Sequence, residues 1–522
     1  MEDGFEDLDL AKLHLRRSHK WRLYPPDILP AFVAEMDYDL PEPVRAALRA
    51  AIDDSDCGYA DPSGLGEAFT LFAAAKHSWT VDPGRVHLIP DVMAGVDAIL
   101  DLGTGPGDGV VINPPVYPPF FAHIRAAHRQ VVEVPLSRHS SGFELDFTGL
   151  EEAFAAGARA YLLCNPHNPT GRVFSSADLA RIASLALRYD VMVVSDEIHG
   201  PLTLPGARHI PFVSLGEDAA AKAVTLTSAS KAFNVAGLKC AVAVAGSAGM
   251  QRLLTRLPDS CTFGAGLPGV LAAEAAWRHG GRWLGALIEQ LDHVRSEFGK
   301  LLADRLPLAA YIPPEAGYLA WVDCSQLGLG PEPADVFLTR GRVAVGRGLD
   351  FGSVGDGFVR VTLGTSSAIL AQIVDRMAAA IGLPAQRKGV AGSPATPFAL
   401  IYGFPVELDI DGSHAASSAL AAVATRSTVR LRSRIMGASC LVSPPVSPLT
   451  LPVSPLVSAL VRPSALGSAP PAPDAAPVTE PRVLLISPST GFKSVPTMGS
   501  WLSRLLTASR RPETSEVIVE TP

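Results

Sequence analysis

Three short polar clusters, each directly after an apolar run, contain the side chains best suited to chemistry. They are Asn168 in HNPTG, Asp196 and His199 in SDEIH, and Lys231 in SASKAFN. Taken alone, each has a structural explanation, since Asn-Pro forms turns, a strand-end Asp caps helices and a lone Lys is usually solvated. Together they suit other chemistry, because a lysine amine can form a Schiff base and an upstream aspartate can pair with a pyridinium nitrogen. Such a ring stays protonated and can accept the electrons of a carbanion.

A second group of residues could bind the phosphate of such a cofactor. Ser228 and Ser230 supply hydroxyl groups, and Lys239 adds a positive charge nearby. Met93 and Ala94 open a helical run, whose first turn would aim backbone amides at the same anion. We therefore expect an anion site next to the lysine cluster.

The elements that must position these clusters alternate between strands and helices. Apolar runs at 158–164, 191–194 and 224–227 predict buried strands, and Ser175 with Asp178 predicts a capped helix between the first two. Strand, crossover and strand at this spacing predict parallel strands with helices on both faces. In such sheets ligands gather at the carboxyl ends of the strands, which is where the polar clusters lie.

Charge and composition exclude several classes of function. Asp and Glu outnumber Lys and Arg by 52 to 44, for a net charge of −8, which argues against a nucleic-acid partner. No apolar stretch approaches the roughly 18 residues of a membrane span. The acidic start MEDGFEDLDL does not resemble a secretory signal, and the six scattered cysteines form no CxxC pair. With no HExxH pattern either, we expect a cytoplasmic protein with reduced thiols and no metal site.

The composition changes near residue 384. Between 441 and 481 there are 11 prolines and 6 serines, so this stretch is expected to be extended and unstructured. The run 366–382 predicts a closing amphipathic helix. Two apolar runs, 481–487 and 515–520, could still form short strands.

GTGPGDG at 103–109 is similar to a dinucleotide-binding loop, but its place between a helical run and a strand predicts a simple turn.

The ordered motifs HNPTG, SDEIH and SASKAFNVAGLK resemble the fold-type I pyridoxal-phosphate enzymes of the class I/II aminotransferase family. FVAEMDYDLPEPVRAAL, CGYADPSGLGEAF, NPPVYPPF and GDGFVRVTLG are similar to its MalY/PatB branch, the cystathionine β-lyases. The resemblance covers about residues 10–382. It implies an α/β fold, in which a large domain has a mainly parallel seven-stranded sheet between helices and a smaller C-terminal domain is α+β. The implied division is a segment 1–45 that contributes to the small domain, a large cofactor-binding domain 46–280, the small domain 281–383 and a disordered tail 384–522.

The resemblance also implies a role for each candidate in holding pyridoxal 5′-phosphate. Lys231 would bind the cofactor covalently, Asp196 would pair with its pyridine nitrogen, and Asn168 would hydrogen-bond the ring hydroxyl. His199 would lie close by. Tyr117 in NPPVYPPF would stack on the ring face, and the alternative is a core tyrosine in a proline-rich turn.

Two further roles concern the phosphate and the substrate. Tyr59 would reach the phosphate of a neighbouring subunit, which implies a homodimer with shared active sites. Arg360 in FVRVTLG would clamp the carboxylate of a small amino-acid substrate through its planar fork. Without the resemblance, Arg360 could equally be a surface arginine at a strand edge.

The implied activity is a carbon–sulfur β-lyase that cleaves cystathionine or a related cysteine thioether to a thiol, pyruvate and ammonia. Lys231, once displaced by the substrate amine, would remove the Cα proton as a general base. The same residues serve transamination, so an aminotransferase for hydrophobic or aromatic amino acids stays open. A third interpretation is a regulatory protein that acts through protein partners, against which the intact set of Lys231, Asp196 and Arg360 argues.

Overall fold

The computed structural model describes residues 5–140 and 142–383, and two short strands at Phe398–Ile401 and Phe404–Glu407. The chain divides into a first unit that ends at Ala395 and a second that begins at Thr396. Within the second unit, the two short strands pair with each other in antiparallel fashion.

A seven-stranded sheet forms the centre of the first unit. Its strands, in spatial order, are Val86–Ile89, Ala241–Ala245, Ala223–Thr227, Met192–Asp196, Ala160–Cys164, Gly109–Ile112 and Gln130–Glu133. Neighbouring strands are parallel except at Ala241–Ala245, which runs antiparallel to both of its neighbours. The predicted mainly parallel seven-stranded sheet is therefore confirmed.

Both faces of the sheet are covered at its centre, which explains why the central strands are fully buried and largely apolar. In Ala160–Cys164 (AYLLC) all side chains are buried. Leu162 belongs to the same core cluster as Val96 on one face, whereas Tyr161 belongs to the cluster of Ile182 on the other. A strand buried on both faces shows no polar alternation, and its residues form a continuous apolar run.

A second, five-stranded sheet combines the start of the described chain with its later part. Its strands, in spatial order, are Leu29–Ala31, Val343–Arg347, Phe358–Thr362, Leu319–Asp323 and Ala310–Tyr311. Leu29–Ala31 pairs in parallel with Val343–Val345. A separate hairpin joins Ser137–His139 to Gly142–Glu144.

Helices surround the two sheets. The α-helices are Leu10–Leu13, His19–Arg22, Glu42–Asp53, Leu65–His77, Val92–Gly103, Pro118–Ala126, Phe147–Ala155, Ser176–Arg188, Glu217–Ala221, Ala229–Ala232, Ala248–Leu254, Asp259–Phe263, Leu267–His279, Gly281–Arg305, Pro333–Thr339 and Ser367–Ala380. Short 3-10 turns lie at Pro83–Arg85, Gly200–Leu202, Phe212–Ser214, Ala236–Leu238, Ser325–Leu327, Gly348–Phe351 and Ser353–Gly355. Over the described ranges, no helix is long and apolar enough to cross a membrane.

Several local expectations can be compared with these elements. The capping box of Ser175 and Asp178 is present at the predicted helix, and Ser366 caps the closing helix. The stretch 103–109 joins the end of a helix to the start of a strand, as expected for a turn. The hairpin at 398–407 was not predicted, since it falls within the segment expected to be unstructured. The possible strands at 481–487 and 515–520 lie outside the described residues.

Candidate active site

Three adjacent strands of the large sheet bring the polar clusters together. The strands end at Cys164, Asp196 and Thr227, and they pair side by side in that order. Asn168 follows the first strand, and Lys231 follows the third. Because parallel strands present their carboxyl ends at one edge, the predicted cluster forms at that edge of the sheet.

Lys231 lies on a one-turn helix directly after its strand. Ser228 caps this turn by accepting a hydrogen bond from the backbone N–H of Ser230. The Lys231 Nζ donates to the Ala34 carbonyl oxygen at 2.8 Å. Burial, with help from the Arg360 charge, lowers the pKa of Lys231 to about 8. About a tenth of the amine is therefore neutral at pH 7, far more than for an ordinary lysine, and the neutral form is the one that acts as a nucleophile and a base.

Asp196 is the last residue of its strand and is 5% exposed. Its Oδ1 accepts a hydrogen bond from the Ile198 N–H at 3.1 Å. Burial raises the pKa of Asp196 to about 7; the Glu197 charge adds to this rise, and Lys231 opposes it. A carboxylate in such a position is stabilised by a cation placed beside it, and a protonated pyridine nitrogen is a suitable cation.

Arg360 lies two residues after Phe358 in the central strand of the five-stranded sheet, and Arg360 is 7% exposed. Its Nη1 donates to Asn168 Oδ1 at 3.1 Å, and its Nη2 donates to the Phe32 carbonyl at 2.7 Å. The buried Nε has no hydrogen-bond partner within the described part of the chain. The alternative of a surface arginine is therefore wrong, because pairing on both sides of its strand buries the residue.

The charged groups also act on the pKa values of Tyr117 and His199. Tyr117 precedes the helix Pro118–Ala126; burial raises its pKa, and the Arg360 charge opposes this rise. Burial lowers the pKa of His199 to about 3, and the Lys231 and Arg360 charges add to this effect. The neutral ring has a buried Nδ1 without a hydrogen-bond partner among the described residues.

The residues predicted to bind phosphate gather at a neighbouring position, where the structure adds a carboxylate. Asp91 caps the helix Val92–Gly103 by accepting a hydrogen bond from the Ala94 N–H at 2.9 Å. Lys239 Nζ pairs with the other Asp91 oxygen at 2.7 Å. The sequence analysis did not identify Asp91, although an Asp directly before a helical run is a recognised capping signal. Its pairing means that the charge of Lys239 is already partly compensated.

The two serines and Met93 lie at the same place. Ser228 Oγ donates to the Cys240 carbonyl at 2.6 Å and lies 2.7 Å from Ser230 Oγ. Cys240 is the residue next to Lys239, and Met93 is in the first turn of the helix that Asp91 caps.

Tyr59 is the one candidate that its own chain leaves outside the cluster. Its side chain is 87% exposed, and its ring packs edge-on against Phe263 at 5.9 Å. Its backbone forms an isolated antiparallel bridge with Gly266. Nothing in a single described chain connects Tyr59 to Lys231.

The structure also contributes groups that the sequence analysis did not identify. The Ala34 carbonyl accepts from the Tyr318 hydroxyl at 2.9 Å as well as from Lys231. The backbone N–H of Met36 donates to Asn234 Oδ1, and Asn234 Nδ2 donates to the Met36 carbonyl oxygen. The segment FVAEMDY thus lies against the lysine loop, although the sequence had indicated it only as a motif of resemblance.

These donors fit pyridoxal phosphate. The amine of Lys231 has a lowered pKa, a buried carboxylate lies in the same cluster, and hydroxyl and amide groups stand together at one side. Two buried nitrogens, His199 Nδ1 and Arg360 Nε, lack partners among the described residues. A bound cofactor and an amino-acid substrate would provide partners for such groups.

The chain belongs to the family described as aminotransferase class I and II, whose model matches residues 33–377. A protein of Mycobacterium tuberculosis is 43% identical over 399 residues, covering 71% of this chain and 97% of that protein. The cystathionine β-lyase PatB of Bacillus subtilis is 35% identical, with 68% of this chain and 93% of PatB covered. The crystal structure of a pyridoxal-phosphate-bound C–S lyase from Staphylococcus hominis matches with a TM-score of 0.67 at 26% identity, over 72% of this chain and 98% of that one.

These matches confirm the predicted family with its MalY/PatB branch, the fold type and pyridoxal phosphate as the cofactor. They also support the predicted carbon–sulfur β-lyase activity.

Proposed function

We propose that the protein is a pyridoxal-phosphate-dependent β-lyase that cleaves cystathionine or a related cysteine thioether to a thiol, pyruvate and ammonia. One observation carries this proposal: a lysine amine with a lowered pKa and a buried aspartate lie at one edge of the seven-stranded sheet, where the buried Arg360 of the five-stranded sheet donates to Asn168. When bound, the cofactor supplies an electron sink for the charge that develops at the substrate Cα.

The residues of this chain would divide the remaining work. The Arg360 fork binds the substrate carboxylate, and Asn168 fixes that fork through its 3.1 Å hydrogen bond. Lys231 takes the Cα proton at Nζ, which the Ala34 carbonyl orients. Asp196 would pair as an anion with the ring nitrogen of the cofactor, and Tyr117 and His199 would lie beside the ring. We keep Ser228, Ser230, Lys239 and the amides of Met93 and Ala94 as the proposed phosphate site.

We also propose a homodimer in the cytoplasm, in which Tyr59 reaches the phosphate of the partner subunit. The support is the exposed aromatic pair that Tyr59 forms with Phe263, which is 62% exposed. Exposed aromatic pairs are typical of interface cores. The proposed domains remain 46–280 for cofactor binding and 281–383, joined by the N-terminal segment 1–45, for the small domain.

Product analysis with cystathionine tests the activity. A β-lyase releases pyruvate and a free thiol, whereas an aminotransferase that is supplied with a second keto acid as amino-group acceptor yields a keto acid that retains the sulfur. Pyruvate measured with lactate dehydrogenase, together with thiol measured by a colorimetric reagent, should appear in equal amounts. A sulfur-containing keto acid without free thiol would favour the aminotransferase instead, and the absence of both reactions would favour a regulatory role.

A further inference from the structure

One backbone carbonyl in the candidate site accepts hydrogen bonds from two side chains. The Ala34 oxygen accepts from Lys231 Nζ at 2.8 Å and from the Tyr318 hydroxyl at 2.9 Å. Within the described part of the chain, the Lys231 amine makes no other hydrogen bond. The strength of its one hydrogen bond therefore depends on the second donor that shares the acceptor.

Tyr318 is held in place as a donor. It is 1% exposed and directly precedes the strand Leu319–Asp323. Its ring meets the ring of His199 edge-on at 6.1 Å. Burial raises the pKa of the Tyr318 phenol, so the hydroxyl stays protonated over the pH range in which Lys231 titrates. The phenol can therefore donate to Ala34 whether the lysine is charged or neutral.

A shared acceptor favours the neutral form of the lysine. A carbonyl oxygen has two lone pairs and can serve both donors. Each donor draws electron density from the same oxygen, so the bond to the other donor is weaker than it would be alone. An ammonium group gains more from an acceptor than a neutral amine does, because its hydrogen bonds are assisted by charge. The Tyr318 hydroxyl thus opposes the charging of Lys231.

Other charged groups face Lys231 from the surrounding elements. Burial is the main cause of the low pKa of Lys231, and the charge of Arg360 lowers it further. Asp196 and Glu35 raise this pKa. Burial and the Lys231 charge also lower the pKa of His199, whose ring is therefore neutral. The loss of one uncharged phenol hydroxyl would leave all of these charges as they are.

We propose that Tyr318 is a positioning residue that keeps Lys231 in its neutral, reactive form by occupying part of the Ala34 carbonyl. The inference rests on the role proposed above for Lys231 and not on the reaction that follows. It adds a side chain from the five-stranded sheet to the control of the lysine on the seven-stranded sheet.

The rate at which the cofactor attaches to the full-length chain tests this inference. In that step the neutral Nζ attacks the aldehyde carbon of pyridoxal phosphate, a C=N bond forms and one water leaves. After removal of the cofactor, added pyridoxal phosphate should attach to Tyr318→Phe about threefold more slowly than to the wild type at about pH 6.5, and equally fast at about pH 10. The reason is that the pH of half-maximal rate should rise by about half a unit, within the range for one hydrogen bond.

A matched variant controls for the loss of a hydroxyl. Tyr311 also donates its hydroxyl to a backbone carbonyl, that of Arg295 at 3.3 Å, away from the lysine. Tyr311→Phe should therefore follow the wild type at both pH values. Phenylalanine at position 318 keeps the ring that packs against His199, so Tyr318→Phe should fold like the wild type.

The pH dependence separates this role from a structural one. An equal slowing of Tyr318→Phe at both pH values means that the hydroxyl only shapes the site, and overturns the inference. A pH of half-maximal rate that stays at the wild-type value or falls overturns it as well. Attachment to Lys231→Ala at the wild-type rate removes Lys231 as the reactive amine and the inference with it. Attachment to the wild type without pyruvate release from cystathionine contradicts the proposed lyase activity and leaves this inference standing.

Discussion

Replacing Asp196 with asparagine should stabilise the protein without its cofactor. The pKa of this carboxyl rises from 3.8 to about 7, chiefly because burial disfavours its charge and, further, because Glu197 repels it. At about 1.4 kcal/mol for each pKa unit, this rise costs the folded apoprotein about 4 kcal/mol at pH values above 7. Asparagine is uncharged and keeps the oxygen that accepts from the Ile198 N–H. The gain should therefore approach that cost at about pH 8.

The sign of the pH dependence follows from proton binding. Between about pH 4 and pH 7 the folded apoprotein keeps a proton that the unfolded chain releases, so wild-type stability falls as the pH rises. Urea unfolding of both cofactor-free proteins should show the advantage of Asp196→Asn growing by roughly 3 kcal/mol between about pH 5 and about pH 8.

With cofactor bound, the order should reverse, because the variant lacks the anion that pairs with the ring nitrogen. The cofactor should then be lost faster on dialysis. A variant that is no more stable than the wild type at about pH 8 without cofactor would refute the burial argument.

Four further predictions concern other residues. Lys231→Ala should abolish the visible absorbance of covalently bound cofactor, and an unchanged spectrum would place the link elsewhere. Arg360→Ala should weaken amino-acid substrates by about 1.5–3 kcal/mol, or about tenfold to a hundredfold, with only partial rescue by Arg360→Lys, since lysine lacks the planar fork; equal steady-state kinetics would remove Arg360 from the site. Mixing inactive Lys231→Ala and Tyr59→Ala chains should restore activity in hybrid dimers, whereas no recovery after verified subunit exchange would assign Tyr59 to its own subunit's site. A chain that ends at residue 383 should keep its fold and activity, and loss of cofactor from it would contradict the proposed boundary.

The large sheet could be predicted because burial on both faces determines the residue types within each strand, which are visible in the local sequence. A parallel strand that is buried on both faces is expected to be largely apolar, and the buried strands that end at Cys164, Asp196 and Thr227 follow this pattern, with polar residues mainly towards their carboxyl ends. The strand ends then place Asn168, Asp196 and Lys231 at one edge without any knowledge of distant contacts. The pairing in the five-stranded sheet has no such local sequence signal, because Leu29–Ala31 pairs with a strand more than three hundred residues later.

The less predictable part of the site consists of backbone groups and of pairs between distant segments. The Ala34 carbonyl orients Lys231 and Tyr318, yet every residue has a carbonyl, so the residue type reveals nothing about this role. The pairing of Lys239 with Asp91 likewise depends on how two segments meet in the fold. Such groups set the charge that each reactive side chain experiences, and therefore its pKa. The sequence can name the lysine that carries the chemistry, whereas the fold determines the pH at which its amine is free to act.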